Sequence, residues 1–131
     1  MTRYSKLAIS SDKAPKALGP YSAGIRISNI IYTAGQLGII PSTGDLAMGG
    51  IEAETRQALD NLGAVLVAAG SSFSHVVKTT VFLRDMADFT RMNNIYAEYF
   101  DAPYPARSTI QVAALPKGGI IEIEAVAIIP D

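Results

Sequence analysis

The fold is decided by the stretch Pro105-Ala106-Arg107-Ser108-Thr109-Ile110 and, shortly after it, by Ile121-Glu122-Ile123-Glu124-Ala125. Both stretches read as apolar β-strands that carry charge. Ionised groups are costly to desolvate, so charge at these positions suggests a polar site built on rigid elements. Alternation along a strand places Arg107 and Thr109 on one face of the first strand, and Glu122 and Glu124 on one face of the second.

Outward from these strands, the hydrophobic period alternates between two and about 3.6 residues. A mixed sheet with both helices on one face is the economical α+β architecture, and it leaves the other face to be covered by subunits. Gly35 should form a bulge or a close backbone approach, Gly70 should end the first helix, and Asp85 should cap the second. The pattern predicts strands over 7–9, 23–27, 30–37, 76–83, 107–112 and 120–129, and helices over 51–69 and 87–100.

Length and composition predict one domain over residues 1–131, which is too short for two independent cores. Hydrophobic residues make up 49% and charged residues 18%, and this apolar surplus favours a homo-oligomer. The longest comparable apolar run, 62–69, is well short of the roughly 20 residues of a membrane span. The first residues lack the apolar core of a secretory signal, so a cytoplasmic protein is expected.

Several kinds of function find little support in the residues. The chain has no Cys, which excludes disulfides and thiolate chemistry, and no spacing typical of metal ligands. A net charge of -1 with scattered Lys and Arg gives no basic stripe for nucleic acid. The lone His75 favours a capping or solvated role, and no nucleophile elbow accompanies it. The glycines at 44, 49 and 50 do not form a phosphate loop.

Two interpretations of the charged strands remain open on pattern alone. Arg and Glu on neighbouring strands commonly form an exposed ion pair that contributes little, and the pattern by itself favours this explanation. Alternatively, Arg107 is placed to bind a carboxylate with both arms of its guanidinium. Tyr21 is equally compatible with turn packing and with a site, and Asn93 reads by default as solvent-facing.

The chain also resembles a known family, the Rid proteins (reactive intermediate deaminases, also called YjgF-type or liver perchloric-acid-soluble proteins). The resemblance covers nearly the whole chain in order. Its motifs are Gly19-Pro20-Tyr21-Ser22, Thr33-Ala34-Gly35-Gln36, Thr55-Arg56-Gln57-Ala58-Leu59-Asp60-Asn61-Leu62, Val76-Val77-Lys78-Thr79-Thr80-Val81-Phe82-Leu83, Pro105-Ala106-Arg107-Ser108, Leu115-Pro116-Lys117 and Ile121-Glu122-Ile123-Glu124-Ala125.

The resemblance implies a chorismate-mutase-like α+β fold, assembled as a homotrimer around a central β-barrel with clefts between subunits. It also implies an enamine/imine deaminase, of the 2-iminobutanoate/2-iminopropanoate type, that hydrolyses reactive 2-imino acids such as 2-aminoacrylate or 2-aminocrotonate to 2-oxo acids and ammonia. Carried over to this chain, Arg107 would bind the substrate carboxylate and Glu122 would activate water. Tyr21, Gly35 and Asn93 would line the cleft. No metal or organic cofactor is implied.

Two departures from the family pattern affect the expected site. Thr109 stands where the best-known deaminases have Cys, and Ala34 stands where they have Ser. Thr109 keeps a hydroxyl on the Arg107 face, whereas Ala34 removes one, so substrate preference is the property most exposed to change. A trimeric carboxylate-binding module without turnover is therefore one rival function. An endoribonuclease or translation inhibitor is a second, which the charge distribution disfavours.

Overall fold

The computed structural model describes residues 5–131 and contains one mixed sheet with two helices. The elements are β1 (Leu7–Ile9), β2 (Gly24–Ile27), β3 (Ile30–Thr33), β4 (Gln36–Leu37), α1 (Gly50–Ala68), β5 (Val76–Leu83), α2 (Phe89–Tyr96), β6 (Ala106–Gln111) and β7 (Ile121–Ile128). The order across the sheet is β1-β2-β3-β7-β5-β6, with β4 also paired to β7. Strand β5 runs parallel to β6, and the other pairings are antiparallel. The predicted mixed α+β architecture is confirmed.

Helix α1 packs on β3, β4 and β7 and against α2. Its apolar stripe is fully buried at Leu59, Leu62 and Leu66, as the 3.6-residue period predicts. The helix ends where Gly70 takes a left-handed conformation with φ of 87°, which costs a glycine little. No helix within residues 5–131 is long and apolar enough to cross a membrane.

Helix α2 is shorter than the predicted 87–100. Asp85 does act as a cap, but its carboxylate accepts from the Ala87 N–H at 2.9 Å and starts a 3₁₀ turn over Met86–Asp88. At the other end, Glu98 N–H donates to Ile95 and Tyr99 N–H to Tyr96, both at 3.0 Å. These bonds join residues that are three apart, as in a 3₁₀ turn, so the α-helix ends before them.

The predicted strand 30–37 is interrupted at residues 34 and 35. Tyr32 pairs with Val126 and Gln36 with Ile123, so four steps along one strand oppose three along β7, which is a bulge. Beside it, the Thr33 hydroxyl accepts from the Ala125 N–H at 2.9 Å. The bulge predicted at Gly35 is therefore present, and it divides the expected strand into β3 and β4.

The two faces of the sheet differ in cover. On β7, Ile121, Ile123, Ala125 and Ala127 are buried beneath the helices. On the opposite face Glu122 and Glu124 are half-buried. Other side chains of that opposite face are large, apolar and exposed, among them Tyr32 at 49% and Ile110 at 46%. Within residues 5–131, no helix packs on this second face.

Candidate active site

Glu122 lines a small pocket on the face opposite the helices. Its strand position opposes Phe82 of β5 and Leu37 of β4. Gly35, in the bulge, lies so near that a Cβ added there would be 2.5 Å from Cδ and Oε2 of Glu122. The pocket has a volume of about 40 Å³. Its other walls include Leu18, Tyr21 and Pro116.

Desolvation dominates the electrostatics of Glu122. Burial raises the pKa of the Glu122 carboxyl above its ordinary value, and the negative charge of Glu124 raises it further. Among the described residues, no cationic side chain lies within 4 Å of the Glu122 carboxylate. The sequence left open whether burial or Arg107 governs this pKa, and in the single chain it is burial. A carboxylate of raised pKa is suited to accept a proton from water.

Tyr21 stands at the mouth of the same pocket, and 49% of the residue is exposed. Its hydroxyl oxygen accepts from the Leu18 N–H at 3.0 Å. The backbone of the turn is closed by a bond from the Tyr21 N–H to the Gly19 carbonyl at 2.8 Å. Because the phenol oxygen already accepts from the backbone, its own proton is left for a ligand in the pocket.

Arg107 lies in a different place, on the helix face of the edge strand β6. It pairs in register with the fully buried Thr79 of β5. The guanidinium carbon is 4.7 Å from the ring centroid of Tyr96 and 5.6 Å from that of Phe89, distances at which a cation is attracted to the ring face. Within residues 5–131, no carboxylate comes within 4 Å of the Arg107 guanidinium. Two rings thus hold a cation that has no anionic partner.

A cavity of about 300 Å³ opens beside Arg107, with Asn93, Tyr96 and Tyr104 among its walls. Asn93 thus faces the cavity rather than solvent, contrary to the default interpretation of the sequence. Its Oδ1 is buried and accepts no hydrogen bond from the described residues, and the same holds for the Thr109 Oγ1 on the Arg107 face. Unsatisfied buried acceptors beside a free guanidinium indicate a place for a polar guest.

The predicted site residues therefore form two groups within one chain. We call Tyr21, Gly35 and Glu122 the Glu122 half-site, and Asn93, Arg107 and Thr109 the Arg107 half-site. They lie on opposite faces of the sheet, and β5 runs between β6 and β7. The prediction of a cross-strand ion pair between Arg107 and Glu122 is thus wrong, because their strands are not neighbours and their side chains lie on opposite faces.

Some contributors to these half-sites were not identified from the sequence. Tyr96 was not predicted as a site residue, yet its ring contacts Arg107 and its hydroxyl bonds the Thr79 hydroxyl at 2.8 Å. The buried Asn61 donates to the carbonyls of Leu37 and Ile39 at 3.0 and 2.8 Å, which holds the wall of the Glu122 pocket against α1. An Asn on the buried stripe of a helix was the available signal.

Comparisons with known proteins identify the family of the chain. The family described as Endoribonuclease L-PSP matches residues 11–129. Human 2-iminobutanoate/2-iminopropanoate deaminase is 52% identical over 128 residues, covering 98% of this chain and 93% of the human protein. The crystal structure of RidA from the Antarctic bacterium Psychrobacter sp. PAMC 21119 superposes with a TM-score of 0.91 at 44% identity, covering 94% of this chain and 99% of that one.

A third relative is Escherichia coli TdcF, whose crystal structure contains bound serine. It superposes with a TM-score of 0.89 at 40% identity, over 93% of this chain and 98% of that one. The chain therefore matches these proteins over nearly its full length. Its sheet carries a free guanidinium on one face and a desolvated carboxylate on the other. The chain belongs to the L-PSP family, which is the family of the Rid proteins.

Proposed function

We propose that this protein is an enamine/imine deaminase, which hydrolyses 2-imino acids to 2-oxo acids and ammonia. The observation that carries the proposal is a pair of unpartnered charges. These are the Arg107 guanidinium beside an open cavity and the desolvated Glu122 carboxylate in a pocket. Support comes from relatives at about half identity, which are named 2-iminobutanoate/2-iminopropanoate deaminase or Reactive Intermediate Deaminase A.

A complete site requires two chains. Arg107 and Glu122 lie on opposite faces of one sheet, so no ligand can touch both within a single subunit. The face that carries Glu122 is also the one that neither α1 nor α2 covers, and its exposed Tyr32 and Ile110 supply apolar contact area. We therefore propose a homotrimer of single-domain subunits around a central barrel, in which the Glu122 half-site of one subunit meets the Arg107 half-site of the next. A cytoplasmic location remains a prediction of the sequence.

In this cleft, the chemistry follows from the charges. Arg107 binds the carboxylate of the imino acid and fixes its C=N group near Glu122. Glu122 takes a proton from a water molecule, whose oxygen adds to the imine carbon to form a carbinolamine. The protonated Glu122 then returns its proton to the nitrogen. As the C–N bond breaks and ammonia leaves, the carbinolamine hydroxyl gives its proton to the Glu122 carboxylate and becomes the carbonyl of the 2-oxo acid, and this proton then passes to the released ammonia. The protonated imine is already electrophilic, so the reaction asks for no further electrophile.

Mixing two inactive variants tests both the activity and the shared site. Arg107→Ala and Glu122→Gln should each lose most of the turnover of 2-iminopropanoate generated in situ. Unfolded and refolded together in equal amounts, they should recover about a quarter of wild-type activity, the chance that a random cleft receives both intact side chains. Each variant treated alone is the control. An Arg107→Ala protein as active as wild type would refute the assigned roles, and absence of recovery would place both groups in one subunit.

The same assay separates the rival functions. A binding module without turnover would bind small carboxylates and hydrolyse none of several imines. A ribonuclease would cleave RNA after rigorous purification and lose that activity in Glu122→Ala. His75 gives the second rival no support, because its Nδ1 lies within hydrogen-bonding distance of the Ser72 and Ser74 hydroxyls, at 3.0 and 3.2 Å, in a 3₁₀ turn outside both half-sites.

A further inference from the structure

A second cavity opens beside the Glu122 pocket and continues it. This cavity has a volume of about 290 Å³. The two cavities have four walls in common: Pro15, Lys16, Leu18 and Ile39. They form one trough, which we call the lysine trough, that runs from Glu122 at one end to Lys117 at the other.

The second cavity carries more cations than carboxylates. Lys16 and Lys117 line it, against the single carboxylate of Asp12, and Lys16 also lines the Glu122 pocket. Within the described part of the chain, neither lysine ammonium has a carboxylate within 4 Å. The Lys117 ammonium donates to the Gly44 carbonyl, which uses one of its three N–H donors. The trough thus contains two cations that no described carboxylate neutralises at contact distance: Lys16, which lines both cavities, and Lys117 in the second cavity.

The position of Lys117 is fixed at a conformational cost. Its φ is 59° and its ψ is 16°, in the left-handed region that favours glycine. Lysine lacks the short polar side chain with which Asn or Asp offsets this conformation. The bond to Gly44 ties the Pro116–Gly118 turn to the loop that follows Ile40. Strained positions of this kind persist where the surroundings hold them and are concentrated at functional sites.

Apart from Lys16, the walls shared by the two cavities of the trough are apolar. Ala14 and Ile39 are buried beneath it, at 5% and 4% exposure, and Leu18 and Pro41 form its sides. Apolar walls leading to a cationic end are complementary to a short methylene chain that ends in an anion. A monocarboxylic imino acid with an alkyl side chain would leave the two lysines without a partner.

We propose that the protein hydrolyses 2-imino acids that carry a second, terminal carboxylate, and that Lys16 and Lys117 bind this second carboxylate. The inference rests on the proposed function, since the trough starts at the Glu122 half-site. The reaction is unchanged: one water adds to the C=N carbon, the C–N bond of the carbinolamine breaks, and a 2-oxo dicarboxylate and ammonia leave. The lysines form and break no covalent bond, and they act on specificity alone.

The test compares two substrates of similar reactivity in four proteins. 2-Iminoglutarate and 2-iminobutanoate are generated in situ by amino-acid oxidation, and kcat/KM is measured for wild type, Lys16→Gln/Lys117→Gln, Lys16→Arg/Lys117→Arg and Lys13→Gln. Lys13 is the matched control, because it is exposed nearby and does not line the trough. The double Gln variant should lose about tenfold or more on 2-iminoglutarate and stay within about threefold on 2-iminobutanoate, as expected for lost charge-assisted bonds. The double Arg variant should retain turnover of both.

Equal losses on the two substrates, or no loss on 2-iminoglutarate, would overturn the proposal. If wild type hydrolyses neither imine, the proposed function itself fails. The binding role of the two lysines is then tested by calorimetric titration with the products 2-oxoglutarate and 2-oxobutanoate. A preference for 2-oxoglutarate that the double Gln variant loses supports the binding role, and equal affinities in all four proteins refute it.

Discussion

Replacing Gly35 with Ala should displace the Glu122 carboxylate without unfolding the protein. The new Cβ would lie 2.5 Å from Cδ and Oε2 of Glu122 and 2.7 Å from Cγ, whereas ordinary contacts begin near 3.4 Å. The carboxylate must therefore move by the difference, 3.4 minus 2.5, or 0.9 Å. A misplacement of about 1 Å in a reacting group can cost about 100-fold in rate, which corresponds to about 2.7 kcal/mol in the barrier. The clash falls on the end of a flexible side chain, so the fold should remain intact.

The assay for Gly35→Ala is kcat/KM on 2-iminobutanoate, with urea unfolding measured in parallel. Gly19→Ala is the matched control, because its Cβ would meet the Tyr21 ring at 3.9 Å, an ordinary contact. We expect a loss of about 100-fold for Gly35→Ala, a near-wild-type Gly19→Ala, and unfolding midpoints close to that of wild type for both. A folded Gly35→Ala protein with activity within threefold of wild type would refute the view that Glu122 acts from this position.

Three further predictions concern the same surroundings. Glu122→Gln should be more stable than wild type at pH 7 but not at pH 4. The pKa of Glu122 is raised above 4.5 in the folded protein, so the stability of wild type falls as the pH rises from about 4.5 through that folded-state pKa. A variant that melts below wild type at pH 7 would contradict this. Glu124→Gln should lower the pKa of Glu122 by removing a neighbouring negative charge, and an acidic limb of the kcat/KM profile that fails to move to lower pH would count against it. Asn61→Ala should cost about 2 kcal/mol in urea unfolding, because it leaves the buried carbonyls of Leu37 and Ile39 unbonded; an unchanged midpoint would show that water replaces the amide.

The hydrophobic periodicity of the sequence predicted the bounds of an element best where one period continues without interruption. Strand β5 has the predicted bounds, and α1 differs from its predicted bounds by one residue at each end. It served less well where a side chain competes with the backbone. The Asp85 carboxylate converts the start of α2 into a 3₁₀ turn, and the Thr33 hydroxyl accepts from the Ala125 N–H beside the bulge that divides β3 from β4. Such local bonds depend on the geometry of one side chain, which average propensities do not contain.

Alternation also predicts which residues of a strand share a face but not which face meets the helices. Arg107 and Thr109 form a polar set that could have faced away from the core. They lie instead on the helix face, because β6 is the edge strand and the cavity beside Asn93 remains open there. That placement follows from the sheet order, which only the three-dimensional structure supplies.

There is an electrostatic reason for the charged groups of the two half-sites to lie on opposite faces of the sheet. Arg107 is held by the faces of aromatic rings, and Glu122 is partly desolvated with a second carboxylate as its neighbour. Placed together in one chain, the two charges would neutralise each other, lower the pKa of the acid and occupy the guanidinium. Opposite faces of the sheet prevent that pairing. Within one subunit, the separation keeps the cation available for an anion and the acid available for a proton.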